Sequence, residues 1–204
     1  MNKILLTGFT PFGEYKINPS GEIVKRLKGK TIKGNKIIGM ILPVVFGKAG
    51  QMVVNAIKKH QPDIVISFGL SKNASGIIIE KVGLNIHTGK DENKLTPSNE
   101  YIIKDGAPVY FSGLPVERIL AKLRKNNIPA NISYHAGTYL CNEVFYTVLN
   151  YITVQKLPVK AGFIHVPSLP EQIAKHPVPV FPSMPLEMML KAVEVIFESL
   201  RRCD

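Results

Sequence analysis

Residues 130–168, ANISYHAGTYLCNEVFYTVLNYITVQKLPVKAGFIHVPS, decide the fold class. The stretch opens on a strand-like run, ANISYHA, and turns at Ala136-Gly137-Thr138. Leu140, Val144, Val148 and Ile152 then follow at fourfold spacing, which lines one side of an α-helix and predicts a helix over 139–154. A second apolar run, KAGFIHV, reads as another strand with a loop behind it. Strand, helix and strand in succession form the repeating unit of a parallel-rich sheet covered by helices on both faces.

The same alternation extends outward in both directions. KILLTGF (3–9), KIIGMILPVV (36–45) and DIVISFG (63–69) read as buried strands. After the Asn18-Pro19-Ser20 turn, Ser20 is placed to cap a helix running to about Leu27. Met52, Val53, Ala56 and Ile57 give GKAGQMVVNAIKKHQ helical spacing, and Pro62 stops it. Residues 77–86, IIIEKVGLNI, look extended, and residues 87–108 form a long polar excursion for which a hairpin is one form. PVERILAKLRKNN reads as a helix with Pro115 in its first turn. The final helix, PLEMMLKAVEVIFESL, sets Leu186, Met189, Leu190, Val193, Ile196, Phe197 and Leu200 on one face. No repeat, low-complexity tract or linker interrupts the chain, so one domain over 1–204 is expected.

With 204 residues, 45% of them hydrophobic, the chain can bury one sizeable core. Its apolar runs fall short of the ~20 residues that span a bilayer. Its start, MNKILLTGFTPFG, lacks the pattern of a secretory signal, so a cytoplasmic location and no membrane partner are expected. The net charge of +11 raises nucleic acid as a partner. However, Lys25, Lys28, Lys58, Lys59, Lys122 and Lys125 are scattered over the polar sides of helices without interleaved aromatics. Solvated basic faces are the simpler account, and no nucleic-acid partner is expected. The two cysteines, Cys141 and Cys203, make neither a disulfide framework nor a metal motif, so neither metal nor cofactor is expected.

Cys141 sits where a turn enters a helix. The start of a helix carries unpaired N–H groups and partial positive charge, which stabilise a thiolate and can hold an oxyanion. The opposing account is a small buried hydrophobe. A nucleophilic thiolate needs a base. Of the five histidines, His135 and His165 close strands, the positions where sites gather in open α/β sheets. For an acid to orient the imidazole, Glu80 interrupts the apolar run GIIIEKVGLN, where a lone buried carboxylate would be costly. Glu171 is its rival in a Pro-flanked loop, and Glu143 is set aside because two residues along a helix point to different faces.

The blocks TGFTPFG…NPS, GLSKNASGIIIEKVGLN, AGTYLCNEVFY and GFIHVPSLPEQ, in that order across nearly the whole chain, resemble the pyroglutamyl-peptidase I family of cysteine peptidases. The resemblance implies an α/β/α sandwich, often tetrameric, acting on small peptides with an N-terminal pyroglutamate. By position it makes Cys141 the nucleophile, His165 the general base and Glu80 the orienting acid, and puts Phe9 and Phe12 in the substrate pocket. Two departures stand out: Ala74 where the family carries an arginine, and Lys90 where an arginine often follows the LN segment. Lys90 keeps the charge, as a substrate-binding candidate, but loses the planar fork. Two other readings share these residues: a relative that kept the three groups and changed its amide substrate, and a basic binding protein with a vestigial site.

Overall fold

The computed structural model describes residues 2–97, 101–174 and 181–200; His176 and Cys203 lie outside the described residues. In chain order the elements are β1 (Asn2–Phe9), α1 (Pro19–Leu27), β2 (Thr31–Ile32), β3 (Asn35–Leu42), α2 (Lys48–His60), β4 (Ile64–Leu70), β5 (Ile77–Glu80), β6 (Val82–Leu84), β7 (Val109–Phe111), α3 (Val116–Lys125), β8 (Ala130–Ser133), α4 (Leu140–Val154), β9 (Lys160–Val166), α5 (Pro170–Ile173) and α6 (Leu186–Ser199). Seven strands form one sheet in the order β2-β3-β1-β4-β9-β5-β8, and β6 pairs with β7 in a small sheet of their own.

Strand pleating sorts the apolar residues into two cores. Ile4, Leu6, Ile64, Ile66, Phe68, Ile164 and Val166 face one side, where they pack with residues of α1, α3 and α6. Leu5, Phe9, Val65, Ala161 and Phe163 alternate with them and face α2 and α4. Because both faces are covered, β1, β4 and β9 are mostly apolar on both faces rather than alternating apolar with polar, and their buried polar residues are Thr7, Ser67 and His165. The result is an α/β/α sandwich.

The sheet is mostly, not wholly, parallel. β3, β1, β4 and β9 run together, while β5 is antiparallel to β9 and β8 follows β5. β8 therefore runs against β9, and its end at Ser133 is level with Glu80 and Phe163 rather than with the end of β9. Residues 134–139 then carry the chain to the face where α4 covers β4 and β9, through a turn at Gly137 with φ +75°. The turn is open to that glycine, because a side chain strains a positive φ.

Three local expectations change. Asn18, not Ser20, caps α1: its Oδ1 accepts the Ser20 N–H at 3.1 Å, while Ser20 Oγ accepts the Phe9 N–H at 3.0 Å and so ties the end of β1 to the helix. The extended run 77–86 breaks at Lys81, whose N–H donates to Ser133 O and whose carbonyl accepts from Ser112, handing the chain from the large sheet to the small one. Among the described residues of 85–108 no strand forms, so the excursion shows no hairpin of its own there and is bracketed by the antiparallel pair β6 and β7. Asn85 braces it, with Nδ2 donating to Ile103 O and Gly106 O and Oδ1 accepting the Ile103 N–H.

Candidate active site

β9 and β5 place the first pair. His165 lies opposite Ile78 in the antiparallel register, so Glu80, two residues on, is its diagonal neighbour on the same face. His165 Nδ1 and Glu80 Oε1 are 2.7 Å apart, and both residues are buried, at 7% and 2% exposure. The carboxylate accepts, so Nδ1 carries the proton and Nε2 is left for a second partner. Glu80 Oε2 is buried with no hydrogen-bond partner among the described residues. The carboxylate thus leans on the imidazole for its compensation.

The second partner of His165 is Cys141. Burial opposes the imidazolium, but the charge and hydrogen bond of a Cys141 thiolate and those of Glu80 outweigh it, raising His165 from 6.5 to about 10. The cysteine reaches the ring from α4. Its sulfur lies over Gly69 of β4, the residue level with His165 in the parallel register. A Cβ at Gly69 would fall 2.8 Å from Cys141 Sγ and 2.8 Å from the Phe163 ring, closer than such contacts occur, so this approach requires glycine. Phe163 in turn packs against the His165 ring at 5.0 Å between centroids and so fixes its plane.

Cys141 also opens on a cavity of about 60 Å³, walled by Phe9, Phe12, Val44, Leu70 and Tyr139, with Asn18 at its edge. Phe9 is buried and Phe12 half-buried, so the two aromatics meet the thiol across one small space. No side chain caps α4, and among the described residues no hydrogen bond reaches the N–H groups of Leu140, Cys141 and Asn142. Those donors remain for a negatively charged oxygen. A larger hollow of about 500 Å³ lies near the amino ends of β4 and β9, but its lining has no cysteine, serine, threonine or histidine.

The other candidates lie apart from this cluster. His135 is exposed at the end of the reversed strand β8, with Nδ1 accepting the Gly137 N–H at 3.2 Å. Glu171 is exposed on α5. Lys90 is exposed outside the cavity lining, and its carbonyl accepts the Tyr139 hydroxyl at 2.9 Å. Ala74 is buried in the loop between β4 and β5. Glu143 points away from Cys141, toward Gly47 and His87. No group of three or more His, Cys, Asp or Glu among the described residues could hold a metal ion. No helix among them is long and apolar enough to cross a membrane.

Sequence reasoning passed over three residues here. Gly69 is legible only as a glycine ending a strand. Tyr139, two residues before the cysteine, closes the cavity. Asn142, wholly buried, accepts the Leu84 N–H and donates to Leu84 O and Ile86 O, fastening α4 to the excursion. A polar residue at an inward helix position was the available signal.

A thiol facing an imidazole backed by a carboxylate, on this sheet order, invites comparison with known peptidases. The pyroglutamyl peptidase family profile matches residues 2–202. The chain belongs to the pyroglutamyl peptidase family. The pyrrolidone-carboxylate peptidase of Pyrococcus furiosus is 44% identical over 202 residues, covering 96% of each chain. That of Treponema denticola is 42% identical over 203 residues, covering 97% of this chain and 93% of its own. Among solved structures, pyroglutamyl peptidase I of Bacillus amyloliquefaciens superimposes with a TM-score of 0.93 at 37% identity, over 98% of this chain and 97% of the other. A shared fold over the full sheet at such identity extends the likeness beyond the motifs to the architecture that presents them.

Proposed function

We propose that the protein is a cysteine exopeptidase that removes an N-terminal pyroglutamyl residue from small peptides, with Cys141 as nucleophile, His165 as general base and acid, and Glu80 as the orienting carboxylate. The observation that carries this is the placing of His165 between Glu80 and Cys141 beside an aromatic-walled cavity. A pyroglutamyl terminus is a flat, neutral lactam, so it suits the walls of Phe9 and Phe12 and needs no carboxylate to hold an amine. Cys141 Sγ bonds to the pyroglutamyl carbonyl carbon, and the charge that develops on oxygen meets the free N–H groups at the start of α4. The C–N bond then breaks as His165 gives its proton to the departing amine, leaving a thioester. Water attacks the thioester, His165 takes its proton, the C–S bond breaks, and pyroglutamic acid and the thiolate are released. Glu80 holds the proton on Nδ1 throughout and stabilises the imidazolium.

Incubation with a fluorogenic pyroglutamyl amide should give release that iodoacetamide abolishes. Release that survives alkylation would remove the cysteine mechanism. Absence of release would favour the relative with a changed substrate, for which Ala74 and Lys90 are the motive.

A single peptidase domain acting in the cytoplasm as a homotetramer completes the proposal. Its support is the family likeness along residues 2–202 and the apolar, Pro-rich approach to α6. Light scattering at micromolar concentration should give an oligomer, and a monomer would remove that part.

A further inference from the structure

Glu143 is the one Asp, Glu, Lys or Arg on α4, and it is only 2% exposed. Its carboxylate is shared between two partners: Oε1 accepts the Gly47 N–H at 2.6 Å, and Oε2 lies 2.9 Å from His87 Nδ1. These contacts join three segments distant in sequence. One is the start of α4, which carries Cys141. Another is the turn before α2, whose Val44 walls the cavity. The third is the start of the excursion, at His87.

Further bonds run the same way. Asp91, buried on the excursion, accepts the Phe46 N–H at 3.0 Å, and the Glu92 N–H donates to Val44 O at 3.1 Å. The Phe46 ring meets the rings of His87 and Tyr139 edge-on, each at 5.4 Å. The wall of the cavity is therefore held against the excursion, and Glu143 links that wall directly to the helix of the nucleophile. Removing the carboxylate would break the part-buried hydrogen bond to the N–H of Gly47, itself an exposed residue, and would free the wall to shift against the thiol.

We propose that Glu143, with His87, is a positioning residue for the peptidase reaction: by binding Gly47 it fixes the Val44 wall relative to Cys141, so that the bound carbonyl meets the sulfur in attack geometry. This rests on the assignment of Cys141 as nucleophile. Attack geometry matters steeply, since a misplacement of about 1 Å can cost on the order of a hundredfold in rate.

The test uses Cys203→Ala protein, so that Cys141 is the thiol counted by iodoacetamide, and reads kcat per titrated thiol on a pyroglutamyl amide. Glu143→Ala should lower kcat per thiol about tenfold to a hundredfold with KM within about threefold, because orientation acts on the chemical step. Glu143→Gln should recover most of the loss, since its carbonyl oxygen still accepts the Gly47 N–H. Measured on the monodisperse fraction whose folding circular dichroism confirms, a residue that served only folding would lower the yield of that fraction and leave its kcat per thiol unchanged. Unchanged kcat per thiol in Glu143→Ala, or a Gln variant as slow as Ala, overturns the proposal. If Glu143→Ala does not fold, His87→Ala is read the same way: a fall of severalfold supports the proposal, and wild-type kcat overturns it. A parent protein that alkylates but hydrolyses nothing overturns the activity and this proposal together. An active parent with an unimpaired Glu143→Ala overturns the positioning role alone.

Discussion

Cys141→Ala is expected to remove hydrolysis of pyroglutamyl amides, with a fall in kcat on the order of 10⁴ to 10⁶, as when the nucleophile of a cooperating set is deleted. The size follows from the arrangement. Without sulfur no thioester forms, and the His165–Glu80 pair has nothing to activate but water. Folding should be spared, because the change removes one atom beside Gly69 and introduces no new contact. Cys203→Ala should keep full activity, since that thiol lies outside the AGTYLCN block. Steady-state kinetics on the two variants decides the matter. Equal loss in both, or substantial turnover in Cys141→Ala, would sink the nucleophile assignment.

Much of this was legible because the chemistry is expensive to build without a reason. Glu80 in the middle of IIIEKVGL signalled a buried partner before any partner was visible, since a carboxylate there demands compensation. Cys141 was legible from the turn-to-helix junction. The order of the main strands and helices was legible from apolar runs and helical spacing bounded by proline and turn signals, while the short β2, the β6–β7 pair and α5 were not. Strand direction was not legible. Period gives faces, not sense, so nothing local announced that β8 and β5 run against β9. His135 therefore looked as well placed as His165 by strand-end logic and was set aside by resemblance, while the register shows the carboxyl end of β8 pointing toward the amino end of β9.

The tertiary polar links were hidden for a different reason. Asn18 displaced Ser20 as the cap because Ser20 Oγ is taken up by the Phe9 N–H from another element. Likewise Glu143 and His87, which are 56 positions apart, meet only because the excursion folds back on α4. Sequence spacing along one helix correctly kept Glu143 away from Cys141 but could not supply its true partners.

Glu80→Gln should lower kcat on the order of a thousandfold to ten-thousandfold while leaving the fold intact, the scale seen when an orienting carboxylate becomes an amide. The amide oxygen can still accept from Nδ1, so the loss reads the charge rather than the contact. A pH signature accompanies it. His165 stands at about 10 when folded, against an ordinary 6.5, with burial opposed by Cys141 and Glu80. A raised value means that the folded protein holds the proton more tightly than the unfolded chain. Its stabilising contribution is therefore complete below about 6.5 and is lost as pH rises through about 10. With glutamine at position 80, part of what offsets burial disappears, so the folded value drops and the upper edge of the window moves to lower pH. Thermal unfolding of wild type and variant across that window should show the wild type losing stability toward its alkaline end and the variant losing less over the same range. Activity within about twofold of wild type would remove the orienting role from Glu80, because a lost orienting charge costs orders of magnitude. An unaltered slope of stability against pH would mean that Glu80 does not sustain the imidazolium, even though its oxygen lies 2.7 Å from the ring.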